Sequence, residues 1–260
     1  MLEINFNLYD HNFCESTIYS TGQHPEYLNA ISSLFITFIG LNALRKQPLK
    51  LIYSMVYSSL AINGILSYFY HYYNSIGWGL LDRMSMVLLA LNTTYIFANT
   101  IKKMELFKNK CIAKCFNLNT HLIIISYYSI LLTVAGLHIE YIFNILFALF
   151  LISIVFFMFL INRHCHDIID KRILRLGWKG VIYIILSGVF WIGTESLCHT
   201  FPFIKYLFGH VWWHVFVSYG GYLVSLVPMY IDMIEHIDDG TINICNDNFG
   251  IPYLTYYNIV

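Results

Sequence analysis

Charge is what this sequence has least of. Of its 260 residues only 12% are Asp, Glu, Lys or Arg, while 58% are hydrophobic. A soluble domain carries about 25% charged residues, so most of this chain's surface must face something other than water. The formal net charge is +0, and there is neither a basic nor an acidic tail, which removes any field that would draw nucleic acid. The six cysteines contain no CxxC pair. Cys111 and Cys115 stand in CIAKC, with no second pair to complete a zinc knuckle. No lysine follows Lys205, which excludes a retinal Schiff base in the last span. The opening MLEINFNLYDHNF lacks the basic and apolar regions of a cleavable signal peptide. The first apolar span is therefore expected to act as the insertion signal. No internal repeat and no long linker divide the chain.

Long apolar runs are what it has instead. A helix crosses a bilayer with about 20 mostly apolar residues, and seven such spans are predicted, at 28–44, 51–71, 82–101, 118–137, 141–162, 180–198 and 210–234. The expected fold is all-α, a seven-transmembrane helix bundle. Residues 1–27 precede it and residues 235–260 form a polar to mixed tail. With seven spans, every lysine and arginine except Arg83 and Lys205 falls on one face. The positive-inside rule puts that face in the cytosol, the N-terminus in a lumen or outside, and the C-terminus in the cytosol.

Polar and ionisable side chains inside spans are costly and are functional candidates by default. Ser67 and His71 lie four apart near the end of the second span, on one helical face. Asp82 starts the third span. His210 and His214 are four apart at the start of the seventh. In the predicted topology all five fall at one depth on the lumenal side. Three histidines with an open fourth position are the ligand set of a catalytic zinc site. Asp82 is placed to take a proton from water that such a site acidifies, and Ser67 to donate to an oxyanion or orient the water. Against this, a single histidine near a helix end usually snorkels or caps, and HxxxH is a weak signal in a chain with 11 histidines. His121, His138, His164, His166, His199 and His236 read as interfacial or loop residues, and the aromatics, Trp212 and Trp213 included, mostly as an interface belt.

The flanking residues carry a resemblance. SYFYHYYNSIGWGLLDRMSM (67–86) reproduces a Ser-x-x-x-His element followed eleven residues later by Asp. HVWWHVFVSYGGYL (210–223) has an H-x-W-W-H block with a downstream Ser and Gly-x-Tyr. WIGTESLC (191–198) is a Trp-to-Cys stretch with Glu195 where an Asp is usual. Cys14–Glu15 followed by EYLNAIS (26–32) matches a Cys-Glu … Glu-x-x-Asn-x-x-Ser element. In these four ordered blocks the chain resembles the alkaline ceramidase family. The resemblance implies a seven-helix membrane amidase that cleaves ceramide, drawn from the bilayer, to a sphingoid base and a fatty acid. It implies Zn2+ on His71, His210 and His214, with Ser67 and Asp82 assisting the water. No nucleic acid and no obligate protein partner is expected beside ceramide and membrane lipids. An endomembrane and a bacterial or viral membrane are equally open.

The family also places Ca2+ at the N-terminal loop. Here its positions are Asn12, the Phe13 carbonyl, Glu15, Thr17 and Glu26. Asn12 and Thr17 depart from the family's Asp and Asn, and Asp10 reaches the site only with a shifted backbone. Lower ligand charge weakens calcium binding, so a weakened or absent calcium site is expected. An acidic cap before the first span is the plainer reading of the same residues. Cys14 and Cys198 both fall on the lumenal side of this topology, and a disulfide between them is expected in an oxidising lumen. Two other functions compete: a seven-span receptor of a related superfamily with the same Ser/His/Asp pattern, and a hydrolase of another lipid amide or ester. The receptors are expected with the reverse topology, against the basic residues.

Overall fold

The computed structural model describes residues 13–18, 26–47, 50–108, 119–137, 139–198, 200–235 and 240–258. Asp10, Asn12, Cys111, Cys115, His138, His199 and His236 lie outside them, and at Thr17 and His121 only the backbone is described. A 3-10 turn at Cys14–Ile18 precedes α1 (Tyr27–Lys46), α2 (Leu51–Tyr73), α3 (Ile76–Lys108), α4 (Asn119–Gly136), α5 (Glu140–Cys165), α6 (Lys171–Leu197) and α7 (Gly209–Ile234). A second 3-10 turn, Pro202–Leu207, leads into α7.

The chain is a multi-pass membrane protein. Among the described residues six helices are long and apolar enough to cross a bilayer, and at the predicted fourth span the apolar stretch is the shorter Ile124–Gly136. Three predicted boundaries move by more than three residues. The third helix runs Ile76–Lys108, not 82–101, so Asp82 sits in its second turn; the sixth starts at Lys171, not 180.

Local chemistry sets the helix ends. Gln47, the residue before Pro48, closes α1 in an extended conformation (φ −86°, ψ 143°), as the residue preceding a proline must. Asn74 closes α2 in the left-handed region (φ 44°, ψ 47°), a conformation asparagine tolerates at a helix C-terminus. The chain therefore reverses at once into α3 and lays Asp82 back along α2.

The most extensive helix pairings are α6 with α7 and α1 with α2. A Cβ on Gly180 would stand 2.6 Å from the Gly220 carbonyl oxygen, and one on Gly220 would stand 2.7 Å from that of Gly180. Close backbone contact through small residues is how helices associate where lipid offers no hydrophobic drive. A single buried core runs through the bundle, with Tyr57, Leu131, Met158, Ile173 and Leu226 among its most enclosed side chains.

The tail departs from the all-α expectation. Beyond α7 it forms an antiparallel hairpin of β1 (Gly240–Asn246) and β2 (Pro252–Asn258), in register from Gly240 opposite Asn258 to Asn246 opposite Pro252. It docks on the bundle. Gln47 accepts from the Leu254 amide (3.1 Å) and donates to the Tyr222 hydroxyl (2.7 Å), and Tyr222 donates to the Pro252 carbonyl (2.5 Å). α1 runs from this hairpin at Gln47 to its other end at Glu26, where the histidines are.

Candidate metal centre

His71 lies in the last turn of α2, and His210 and His214 in the first two turns of α7. α1 packs against both α2 and α7, which brings these ends together. All three side chains are buried, and one ligand nitrogen from each lies within 4.8 Å of the others. Their ring centroids are 4.7–5.1 Å apart. Sequence reasoning placed these three together, and the structure does the same.

The outer nitrogens decide which atoms face the shared centre. His71 Nδ1 is 2.7 Å from Glu26 Oε2. An ionised carboxylate only accepts, so Nδ1 is the donor and Nε2 is the nitrogen left for the shared centre. His214 Nδ1 is 2.8 Å from Ser32 Oγ. Ser32 gives its own proton to the Asn29 carbonyl at 3.0 Å, so Nδ1 donates here too and Nε2 is again the nitrogen left over. Outer partners of this kind orient metal-binding imidazoles and raise their basicity. A buried set of three imidazoles, two with their outer partners fixed, suits zinc by number and donor type.

Ser67 and Asp82 line the same cavity as the histidines. Ser67 Oγ shares a hydrogen bond with Ser33 Oγ at 3.1 Å. Asp82 is buried and accepts from Asn63 Nδ2 at 3.1 Å. A second, larger space lies between α5 and α6. The two share Phe13, Asn144, Phe147, Trp191 and Trp213, so an apolar groove between α5 and α6 adjoins the histidine cavity.

The segment before α1 seats on this end. The Phe13 ring lies 4.3 Å from that of His210 and 5.1 Å from that of His71. Cys14 is joined to Cys198, with Cα atoms 6.1 Å apart, and its amide donates to both oxygens of Glu195, at 3.1 and 3.0 Å. Glu15 Oε1 accepts from the His210 amide at 3.0 Å, which satisfies one free donor at the start of α7. Burial raises the Glu15 carboxyl above the usual carboxylate range, against the lowering effect of that amide. Glu15 Oε2 and Asn29 Oδ1 are buried with no hydrogen-bond partner among the described residues. Of the positions expected around calcium, Glu15 and Glu26 are thus turned toward the histidine-bearing helices, while Asn12 and the Thr17 side chain lie outside the description.

Three residues had escaped the reading of the sequence: Ser32 behind His214, Asn63 beside Asp82, and Glu26 as the partner of a histidine rather than of calcium. Only Asn63 had a local signal, since it is four residues from Ser67 and eight from His71 on one face of α2.

The family model that matches the chain is described as Ceramidase and covers residues 9–255. No curated protein matches it.

Proposed function

The chain belongs to the ceramidase family, whose model spans nearly its whole length, and from that premise we propose that this membrane hydrolase is a zinc-dependent amidase that cleaves ceramide to a sphingoid base and a free fatty acid. The observation that carries the reading is the buried cluster of His71, His210 and His214, with Glu26 and Ser32 on the outer nitrogens of two of them. These three histidines would hold the ion. When bound, zinc supplies Lewis acidity for the carbonyl and lowers the pKa of water.

The chain's own groups do the rest. The groove between α5 and α6 takes the lipid's apolar chains and leaves its amide at the cavity. The Ser67 hydroxyl steadies the charge that develops on the carbonyl oxygen. Asp82 accepts the proton released as water adds to the carbonyl carbon, then delivers it to the amine nitrogen as the carbon–nitrogen bond breaks. Phe13 and the anchored segment around it keep bulk water from the reacting centre. We place the histidine end on the lumenal or external side with seven spans, as the distribution of basic residues supports.

The test is His210→Ala. Both zinc content and ceramide hydrolysis are expected to vanish. Wild-type turnover by a zinc-free His210→Ala protein would rule the mechanism out.

A further inference from the structure

Asn63 is a buried amide in the middle of a membrane-spanning helix, and the mechanism above gives it no part. It lines the cavity with His71 and Asp82. Its Nδ2 atom lies 3.1 Å from Asp82 Oδ1 and 2.9 Å from Ser85 Oγ. The chemistry fixes which end of the amide faces them. Ser85 donates its proton to the main-chain carbonyl of Asp82 at 2.7 Å, so its oxygen is left to accept. An ionised Asp82 also only accepts. Both neighbours need a donor, and the NH2 end of Asn63 has two. Each N–H is then used once.

The consequence falls on Asp82. Its Oδ1 is held, and its Oδ2 has no hydrogen bond among the described residues. One carboxylate oxygen is an anchor, and the other is left for the reaction. We propose that Asn63 is a positioning residue, which holds the Asp82 carboxylate against Ser85 so that its second oxygen meets the proton released at the histidine cluster. This rests on the reading that Asp82 accepts that proton.

A purely structural role is the competing account, because polar groups also tie helices together in membranes. The molecule contains its own control. Asn92 on α3 donates to Ser59 on α2 at 2.9 Å. That bond joins the same two helices with the same chemistry and is equally buried, but neither residue lines the cavity.

The experiment compares Asn63→Leu with Asn92→Leu in the zinc-loaded protein, with ceramide as substrate. Asn63→Leu is expected to lower kcat about 10- to 100-fold, as misplacing a reacting group by about 1 Å does, with KM and zinc content unchanged. Asn92→Leu is expected to leave kcat within about twofold. Asn63→Ser, which keeps one donor, is expected to fall between wild type and Asn63→Leu, and it stands in if the leucine variant does not fold. Equal kcat losses at positions 63 and 92, or a loss at 63 that appears only in KM or zinc content, would overturn the proposal. Asp82→Asn separates the two readings. If it turns over like wild type, the role of Asp82 fails and the proposal with it. If it is inactive while positions 63 and 92 behave alike, only the positioning role fails.

Discussion

Glu26 and His71 hold each other twice. The Glu26 amide donates to the His71 carbonyl at 3.0 Å, and the Glu26 carboxylate takes the His71 ring at 2.7 Å. One contact fixes the backbone at the end of α2 and the other fixes the imidazole it carries. Glu26→Ala removes the second and leaves the first. Zinc affinity is expected to drop about 10- to 100-fold, with activity recovered in excess zinc. A zinc titration decides it: unchanged affinity means that His71 needs no carboxylate behind it.

The same pairing bears on calcium. Glu26 Oε2 is committed to His71, and Asn12 brings no charge. Micromolar calcium is therefore expected to leave the melting temperature of the purified, zinc-loaded protein unchanged, since ligand charge sets affinity in such sites. A rise in that range would show that Glu15, with its unpartnered Oε2, suffices.

Joining Cys14 to Cys198 closes a loop with a sequence separation of 184. Loss of a native disulfide from a small secreted domain costs about 2–5 kcal/mol. Cys198→Ala is expected to lower the melting temperature and to abolish the gel-mobility shift that reduction produces in the wild type. A wild-type protein that shows no shift on reduction would mean that the two thiols are not joined.

At the other end of the bundle Asp170 caps α6. It accepts from the Arg172 amide at 2.7 Å and from its guanidinium at 2.7 Å. The Arg172 hydrogen bond holds the Asp170 carboxyl below its ordinary range. A carboxyl more acidic in the folded state stabilises fully above its unfolded pKa, and that contribution fades as pH falls through the folded value. The melting-temperature gap between wild type and Asp170→Asn is thus expected to be small and constant at neutral pH, and to shrink below about pH 4. A gap that widens on acidification would contradict the assignment.

Much of this was legible in the residues. Apolar runs located the helices because the bilayer demands them, and the i,i+4 spacing of His210 and His214 put two imidazoles on one face. Boundaries were harder. Residues 171–179, RILRLGWK with its leading lysine, are too basic to read as a span, yet they continue α6 toward the interface. The hairpin had a signal of its own in the alternation of Thr241, Ile242, Asn243, Ile244 and Cys245, but seven residues of period two do not register against hydropathy summed over about 20. The partners of the histidines were invisible for a different reason. Ser32 and His214 are 182 residues apart, and only helix packing makes them neighbours.

The groove between α5 and α6 sets how such an enzyme experiences concentration. A substrate that arrives through the flank of the bundle is dissolved in lipid, a two-dimensional solvent, and its abundance there is a mole fraction rather than a molarity. Adding inert phospholipid or detergent at fixed total ceramide then slows turnover by surface dilution, with no inhibitor present and no change in the protein.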